Sequence, residues 1–213
     1  MTTLDAIRQH WPQLPLTGTS PRDIPNVGRD DLAQLFASLN FTRGVEVGTE
    51  LGYYAETLCQ ANPQLDLHCV DPYFAYREYR DHKSQTKLDA MFEQAQARLA
   101  PYHVTFHRLM STAAYVDFAD GSLDFVYLDA NHSLPYVIAD IHAWLPKVKR
   151  SGIFAGHDYI RRNNGKRYQC HVVEAVYAYT QSYMIQPYFI LGAKNDPIGH
   201  GREAIRSFFW VKE

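Results

Sequence analysis

Residues 45–54, VEVGTELGYY, predict a strand that ends in a glycine-containing turn and continues into a helix. Gly48 and Gly52 stand four residues apart, and Glu46 precedes the first glycine. Glycines at such a turn let the backbone approach a ligand closely, as in nucleotide-binding folds. The spacing is not the dinucleotide fingerprint GxGxxG, because Thr and Glu follow Gly48 directly. Alone, the stretch indicates a nucleotide-like ligand. The alternative interpretation is a plain strand–turn–helix that binds no ligand.

Strand and helix patterns alternate five times along the chain, and two adjacent aromatic strands follow near residues 186–213. This order predicts an α/β fold with a doubly wound, Rossmann-like, mostly parallel seven-stranded sheet and an antiparallel C-terminal strand pair. We expect one domain over residues 1–213, with N-terminal helices in 1–40, a cofactor-binding core in 41–160, and a C-terminal helix and strand pair in 161–213.

Some local elements have clear signals. Helices are expected at Tyr53–Ala61, which Asn62-Pro63 should end, and at Leu134–Trp144. Asp30 or Asp31 is placed to cap a helix over Leu32–Leu39. A turn is expected at Lys149–Gly152.

The composition excludes some partners and compartments. The chain has 213 residues, of which 46% are hydrophobic and 21% charged, and its net charge of −2 argues against nucleic acid as a partner. No apolar run reaches the roughly 18–20 residues that cross a bilayer, so no membrane partner is expected. Three widely spaced cysteines are typical of reduced thiols and predict a cytoplasmic protein. A homo-oligomer stays possible.

Polar residues stand where each predicted parallel strand ends, which is the edge where such sheets bind ligands. Asp71 ends the second strand, where an acid can bind ribose hydroxyls, and Ser111 follows the third, where it can meet an adenine edge. Each also has a plain alternative, since Asp-Pro starts helices and Ser caps them. Together with the glycine loop, they favour an adenosine ligand without a phosphate.

The order VExGxxxG, VD, DFVYLDANH and GIFAGHD resembles class I S-adenosylmethionine-dependent methyltransferases, most closely the small O-methyltransferases of the catechol and macrolide-sugar type. The resemblance covers roughly residues 41–183. It implies methyl transfer from S-adenosylmethionine to a hydroxyl oxygen of a small molecule. The cationic cofactor suits an acid-rich loop. The residues it assigns to cofactor binding are Glu46, Gly48, Thr49, Gly52, Asp71, Ser111 and Asp129.

The resemblance also implies a divalent metal held by Asp129, His157 and Asp158, at the ends of the fourth and fifth strands. Neighbouring strand ends bring the two aspartates within reach of one cation. Mg²⁺ would be usual, whereas a histidine ligand favours Mn²⁺, Fe²⁺ or Zn²⁺. Alternatively, His157 is not a ligand, or the acids only cap the next helices.

His132 stands three residues after Asp129, where the resembled families place a general base, and an imidazole can accept a hydroxyl proton. It could instead be an N-cap or a supporting histidine. A lid and acceptor pocket are expected from two segments, the first 30 residues and Tyr73–Lys87. The side chains that could line the pocket are Tyr73, Phe74, Tyr76, Arg77 and Tyr79. The alternative is that they form a solvated or dimer-forming surface. Alternative functions are a non-catalytic adenosine-binding module and, less favoured, a nicotinamide-dependent oxidoreductase. The acceptor is not predicted.

Overall fold

The computed structural model of the chain describes residues 2–12, 14, 19–76, 84–163, 169–192 and 205–213. The α-helices are α1 (Thr3–His10), α2 (Arg29–Ser38), α3 (Tyr53–Ala61), α4 (Gln85–Leu99), α5 (Ser111–Ala114), α6 (Leu134–Trp144) and α7 (Val172–Ser182). Short 3₁₀ turns cover Tyr115–Asp117 and Leu145–Lys147.

The strands are β1 (Arg22–Ile24), β2 (Arg43–Val47), β3 (Asp66–Val70), β4 (Val104–His107), β5 (Leu123–Leu128), β6 (Val148–Gly156), β7 (Arg162–Asn163), β8 (Gln169–Cys170), β9 (Tyr188–Leu191) and β10 (Ser207–Val211). Eight of them form one sheet in the order β1-β9-β10-β6-β5-β2-β3-β4, and β7 and β8 form a separate pair.

The expected α/β fold is confirmed, with one strand more than predicted. β2, β3, β4, β5 and β6 run parallel, and β10 is antiparallel to both β6 and β9. The additional strand is β1, which pairs in parallel with β9 at the edge. Three residues are too few to show a strand period, so the N-terminal segment gave no strand signal.

Strand order reverses beside β2. The chain runs from β2 through β3 to β4 on one side, then returns to place β5 on the other side of β2. The carboxyl ends of β2 and β5 therefore flank the switch point where ligands bind in such sheets.

Each face of the sheet carries a hydrophobic layer. All six residues of β5 are buried, and from Phe125 to Leu128 they alternate between the layers: Phe125 packs with α2 and α3, and Val126 packs with α6 and α7. Phe125 stacks on Phe36 at 4.3 Å between ring centroids, and Gly44 leaves room for its ring, since a Cβ there would lie 2.1 Å from Phe125 Cζ. This packing holds β2 beside β5, so that the carboxyl ends of these two parallel strands lie side by side.

Two local expectations were wrong. The expected turn at Lys149–Gly152 lies inside β6, which begins at Val148 and accommodates Ser151 with a φ of 65° beside a register irregularity against β5. Asp31 does not cap α2 from outside. It lies in the first turn and accepts a hydrogen bond from the Gly28 backbone N–H at 2.8 Å.

No helix among the described residues is long and apolar enough to cross a membrane.

Candidate active site

One cavity of about 370 Å³ opens at the carboxyl ends of β2, β3, β5 and β6. Every site residue expected from the sequence lines it except Gly52. The remaining walls come from the segment after β3 and from the first turns of α2 and α6. The fold thus brings together residues that lie more than 100 positions apart in the chain, from Glu46 to Asp158.

The backbone conformation of the loop explains its two glycines. Gly48 has a φ of 95°, and a Cβ there would lie 2.1 Å from the carbonyl oxygen of Asp129. Gly52 has a φ of 75° and caps α3, and its N–H donates to the Thr49 carbonyl at 2.8 Å. Left-handed φ values and backbone contact both require glycine, so the loop lies directly against the end of β5.

Glu46, the penultimate residue of β2, is a buried acid that lines the cavity. Within the described part of the chain, its Oε2 has no hydrogen-bond partner. Burial raises the pKa of the Glu46 carboxyl well above its usual value, and the nearby Thr49 side chain and Arg29 charge oppose this rise only in part. A buried acceptor without a donor is costly, so this oxygen is suited to a cationic or hydrogen-bonding ligand.

Asp71 follows β3 and is held by two backbone groups. Its Oδ2 accepts from the Glu50 N–H at 2.9 Å, and its Oδ1 accepts from the Tyr73 N–H at 3.0 Å. Each carboxylate oxygen has further lone pairs. The carboxylate is therefore fixed toward the cavity and can accept from ligand hydroxyls.

Ser111 opens α5 and donates its hydroxyl hydrogen bond to Asp140, a buried residue of α6 that also lines the cavity. Burial raises the pKa of Asp140 to about 7, although the Ser111 hydrogen bond acts in the opposite direction. Sequence reasoning missed Asp140, because one acid in LPYVIADIHAW looks like part of a solvated helix face. Its only sequence signal is its isolation among apolar residues.

Two aspartates and a histidine meet at the ends of β5 and β6. One ligand atom each of Asp129, His132 and Asp158 lies within 4.8 Å of the others. His132 Nε2 is 3.4 Å from Asp129 Oδ1 and 3.1 Å from Asp158 Oδ2. His132, the expected general base, therefore lies within reach of both aspartates.

His157 joins the same cluster from the other side. Its Nδ1 lies 3.6 Å from Asp129 Oδ2 and 3.4 Å from Asp158 Oδ2. Burial disfavours a charged His157, but the hydrogen bond to Asp158 and the Asp129 charge outweigh it and raise the His157 pKa. Burial also opposes a charged Asp158, yet the two histidines hold the Asp158 pKa below its usual value. Asp158 has a φ of 53°, a conformation that Asp tolerates better than most residues.

Arg29, the first residue of α2, is a cavity residue that sequence reasoning missed. Its Nη1 lies 3.6 Å from Asp129 Oδ2, and its guanidinium lies 5.1 Å from the ring centre of Tyr54. The Tyr54 hydroxyl donates to the Arg29 carbonyl at 3.0 Å. No pattern in the N-terminal segment pointed to this contact, because it depends on how α2 packs on α3.

Aromatic residues after β3 form one wall of the cavity. Tyr73, Phe74 and Tyr76 line it, and the Tyr76 ring lies 6.3 Å from that of Tyr136 on α6. Arg77 and Tyr79, also expected in this wall, lie outside the described residues.

The comparisons with known proteins agree with this architecture. Residues 45–159, more than half of the chain, match a family model described as a methyltransferase domain. No curated protein sequence matches the chain significantly.

Solved structures share the fold at low identity. The O-methyltransferase TomG from Streptomyces achromogenes, solved with S-adenosylmethionine and involved in tomaymycin synthesis, is 17% identical with a TM-score of 0.59, over 99% of this chain and 89% of TomG. A proposed caffeoyl-CoA O-methyltransferase from Staphylococcus aureus is 15% identical with a TM-score of 0.56, over 98% and 90% of the two chains. Spermidine synthase from Thermotoga maritima is 10% identical with a TM-score of 0.56, over 94% and 73%. The chain therefore belongs to the methyltransferase-domain family, and its resemblance to class I S-adenosylmethionine-dependent methyltransferases is confirmed.

Proposed function

We propose that this chain transfers the methyl group of S-adenosylmethionine to a hydroxyl oxygen of a small molecule, with the help of a divalent metal. The observation that carries the proposal is the meeting of Asp129, His132 and Asp158 within one cavity, beside the glycine loop. Carboxylates and imidazole at hydrogen-bond range can bind a cation and accept a proton. The oxygen acceptor and the metal both rest on this cluster.

The cavity suits a cationic ligand without a phosphate. S-adenosylmethionine supplies a methyl group on a positive sulfonium, and it also carries an ammonium group, a ribose diol and adenine. The unpartnered Oε2 of Glu46 supports an ammonium there, and the fixed carboxylate of Asp71 supports the ribose hydroxyls. Ser111 already donates to Asp140, so toward adenine its hydroxyl acts as an acceptor.

The loop residues support the same placement. Gly48 lets the backbone come close to the ligand, Gly52 sets the turn that aims the first N–H groups of α3, and Thr49 lies buried beside Glu46. Asp129 stands at the junction of the cofactor and metal positions, because its backbone contacts the loop and its side chain contacts both histidines.

The donor set fits a divalent ion. Asp129 and Asp158 offer carboxylate oxygens, and His157 offers a ring nitrogen within 3.6 Å of both. A mixed set of this kind suits Mn²⁺, Fe²⁺ or Zn²⁺ better than Mg²⁺, which prefers oxygen ligands. When bound, the ion would lower the pKa of the acceptor hydroxyl.

His132 is the proposed proton acceptor. Asp158 lies 3.1 Å from its Nε2 and stabilises the imidazolium that forms when the hydroxyl proton arrives. The acceptor oxygen then forms the bond to the methyl carbon as the sulfur–methyl bond breaks, and S-adenosylhomocysteine leaves. Holding both reactants in one cavity supplies much of the rate.

Isothermal titration with S-adenosylhomocysteine and with NAD⁺ tests the cofactor. We expect binding of S-adenosylhomocysteine only, and NAD⁺ binding alone would refute the proposal. Methyl transfer to catechol and sugar acceptors, with and without EDTA, then tests oxygen transfer and the metal. Binding without any turnover across such a panel would favour a non-catalytic adenosine-binding module.

Two histidine variants separate the base from the ligand. We expect His132→Ala to lose turnover and keep Mn²⁺ binding, and His157→Ala to weaken Mn²⁺ binding. Loss of Mn²⁺ in His132→Ala with full binding in His157→Ala would exchange the two roles, because both rings contact the same carboxylates.

A further inference from the structure

Helix α6 begins without a side-chain cap from its own sequence. Ser133 stands at the N-cap position, but its hydroxyl donates to the Asn131 side chain at 2.8 Å and makes no hydrogen bond to the helix. The first N–H groups of a helix have no partner inside it. The N–H of Leu134, the first helical residue, therefore depends on an acceptor from another part of the chain.

His171, the N-cap residue of α7, supplies that acceptor. The Leu134 N–H donates to His171 Nδ1 at 3.2 Å, and the His171 backbone N–H donates to the His132 carbonyl at 2.9 Å. Because Nδ1 accepts a hydrogen bond, the proton of the neutral ring is on Nε2. One residue thus holds the backbone on both sides of Ser133, directly after the proposed proton acceptor.

Cys170 contacts the acid–histidine cluster, which comprises Asp129, His132, His157 and Asp158. Its thiol donates to the Asp158 carbonyl at 3.3 Å, and its side chain is buried. The Asp158 side chain in turn lies 3.1 Å from His132 Nε2. Consecutive residues, Cys170 and His171, therefore contact the backbones of both partners in this pair.

We propose that His171 is a positioning residue for methyl transfer, and that its two hydrogen bonds hold His132 where the ring can accept the proton of the acceptor hydroxyl. This rests on the proposed function, in which His132 is the proton acceptor. A general base must lie within about 2.6–3.2 Å of the oxygen that loses its proton, so a small shift of the backbone at 131–134 slows proton transfer. His171 lies outside the cavity lining. It therefore acts through His132 and not through contact with a ligand.

Three substitutions at His171 isolate the contribution of its acceptor atom. Asparagine places a side-chain oxygen at the position of Nδ1, glutamine places its oxygen further from the backbone, and alanine has no acceptor. We expect His171→Ala and His171→Gln to lower kcat by about 10- to 100-fold, and His171→Asn to retain most of it. The assay uses whichever catechol or sugar acceptor the wild-type chain methylates fastest. The KM for this acceptor and the affinity for S-adenosylhomocysteine should stay unchanged, because His171 is not part of the cavity wall.

Amide hydrogen exchange measured by NMR tests the contact without an acceptor molecule. In the wild-type chain the Leu134 N–H should exchange slowly, because it donates to His171 Nδ1. His171→Ala and His171→Gln should speed this exchange by about 2- to 10-fold, and His171→Asn should not. An unchanged exchange rate in His171→Ala would overturn the proposal whatever the activity of the variant.

Thr2→Ala is the matched control for a lost helix cap. The Thr2 side chain accepts from the Asp5 N–H at 3.1 Å at the start of α1, outside the cavity lining. Both Thr2→Ala and His171→Ala should lower Tm, but Thr2→Ala should keep the wild-type kcat. An equal fall in kcat in the two variants would show a general loss of structure and exclude the positioning role. The same conclusion would follow if His171→Ala lowered the affinity for S-adenosylhomocysteine as much as it lowered kcat.

Two results would count against the proposed function itself. Full turnover in His132→Ala would exclude His132 as the proton acceptor, and a wild-type chain that methylates no acceptor would exclude the transfer. Either result also removes the role proposed for His171. Wild-type kcat in His171→Ala, together with loss of turnover in His132→Ala, would instead refute the role of His171 alone and leave the proposed function intact.

Discussion

Replacing Asp140 with asparagine should remove a pH-dependent part of the free energy of unfolding. Asp140 is 4% exposed, and burial raises its pKa from 3.8 to about 7 in the folded chain. Between these values the folded chain holds a proton that the unfolded chain has released. The contribution is therefore present at low pH and is lost as the pH rises through the folded pKa of about 7.

The size of the effect follows from the shift. One pKa unit corresponds to about 1.4 kcal/mol, so a shift of roughly three units corresponds to about 4 kcal/mol in all. About 2 kcal/mol of this should be lost between roughly pH 5.5 and pH 8.5. Asparagine keeps the shape and can still accept from Ser111, but it does not titrate.

Urea denaturation followed by circular dichroism at several pH values in this range measures the effect as the difference between wild type and Asp140→Asn. The difference removes groups common to both proteins. Asp120→Asn is the control, because the Lys147 hydrogen bond and charge lower the pKa of the exposed Asp120, which leaves it ionised throughout this range. Parallel curves for wild type and Asp140→Asn would refute the reasoning, since Asp140 would then titrate alike in both states.

Three further perturbations test other parts of the fold. Gly48→Ala should lower the free energy of unfolding by at least about 2 kcal/mol and abolish S-adenosylhomocysteine binding, because its Cβ meets the Asp129 carbonyl. Gly121→Ala controls for the backbone conformation alone, since Gly121 has a φ of 68° but no heavy atom nearer than 3.9 Å to a Cβ. Equal losses of stability for the two variants in urea denaturation would contradict this reasoning. Burial lowers the pKa values of His68 and His107, whose ring nitrogens lie 3.0 Å apart, so the free energy of unfolding should fall as the pH drops below about 6.5. His68→Asn should lessen the fall in Tm on acidification. An unchanged fall in Tm would exclude this pair as its source. Asp124→Ala should cost about 1–3 kcal/mol, because the backbone N–H groups of Thr42 and Arg43 lose their acceptor, and an unchanged urea midpoint would show that water replaces it.

The central part of the fold could be predicted because its signals are local. The expected helices at Tyr53–Ala61 and Leu134–Trp144 have the observed bounds. Apolar runs predicted the strands, and Asn62-Pro63 predicted the end of the first of these helices. Parallel strands then bring their carboxyl ends to one edge whatever their register, which is why residues from four strand ends could be expected in one cavity.

The missed features depend on contacts between distant segments. β1 exists because β9 offers an unpaired edge, and nothing in Arg22–Ile24 alone indicates this. Arg29 reaches the cavity because α2 packs on α3, and Asp140 is buried because α5 covers it with Ser111. The sequence shows which residues are polar, but only packing decides which polar residues face the cavity.

The position of β10 in the sheet determines the order in which parts of this enzyme can form during its synthesis. β6, which is followed directly by His157 and Asp158, lies between β5 and β10, and β10 begins about fifty residues after β6 ends. During translation the chain emerges from its N-terminus, so β6 keeps an open edge until Ser207–Val211 leave the ribosome. A nascent chain thus has its cofactor loop well before its acid–histidine cluster is held in place. We expect chains cut before Ser207 to expose that edge to aggregation rather than to persist as slow enzymes.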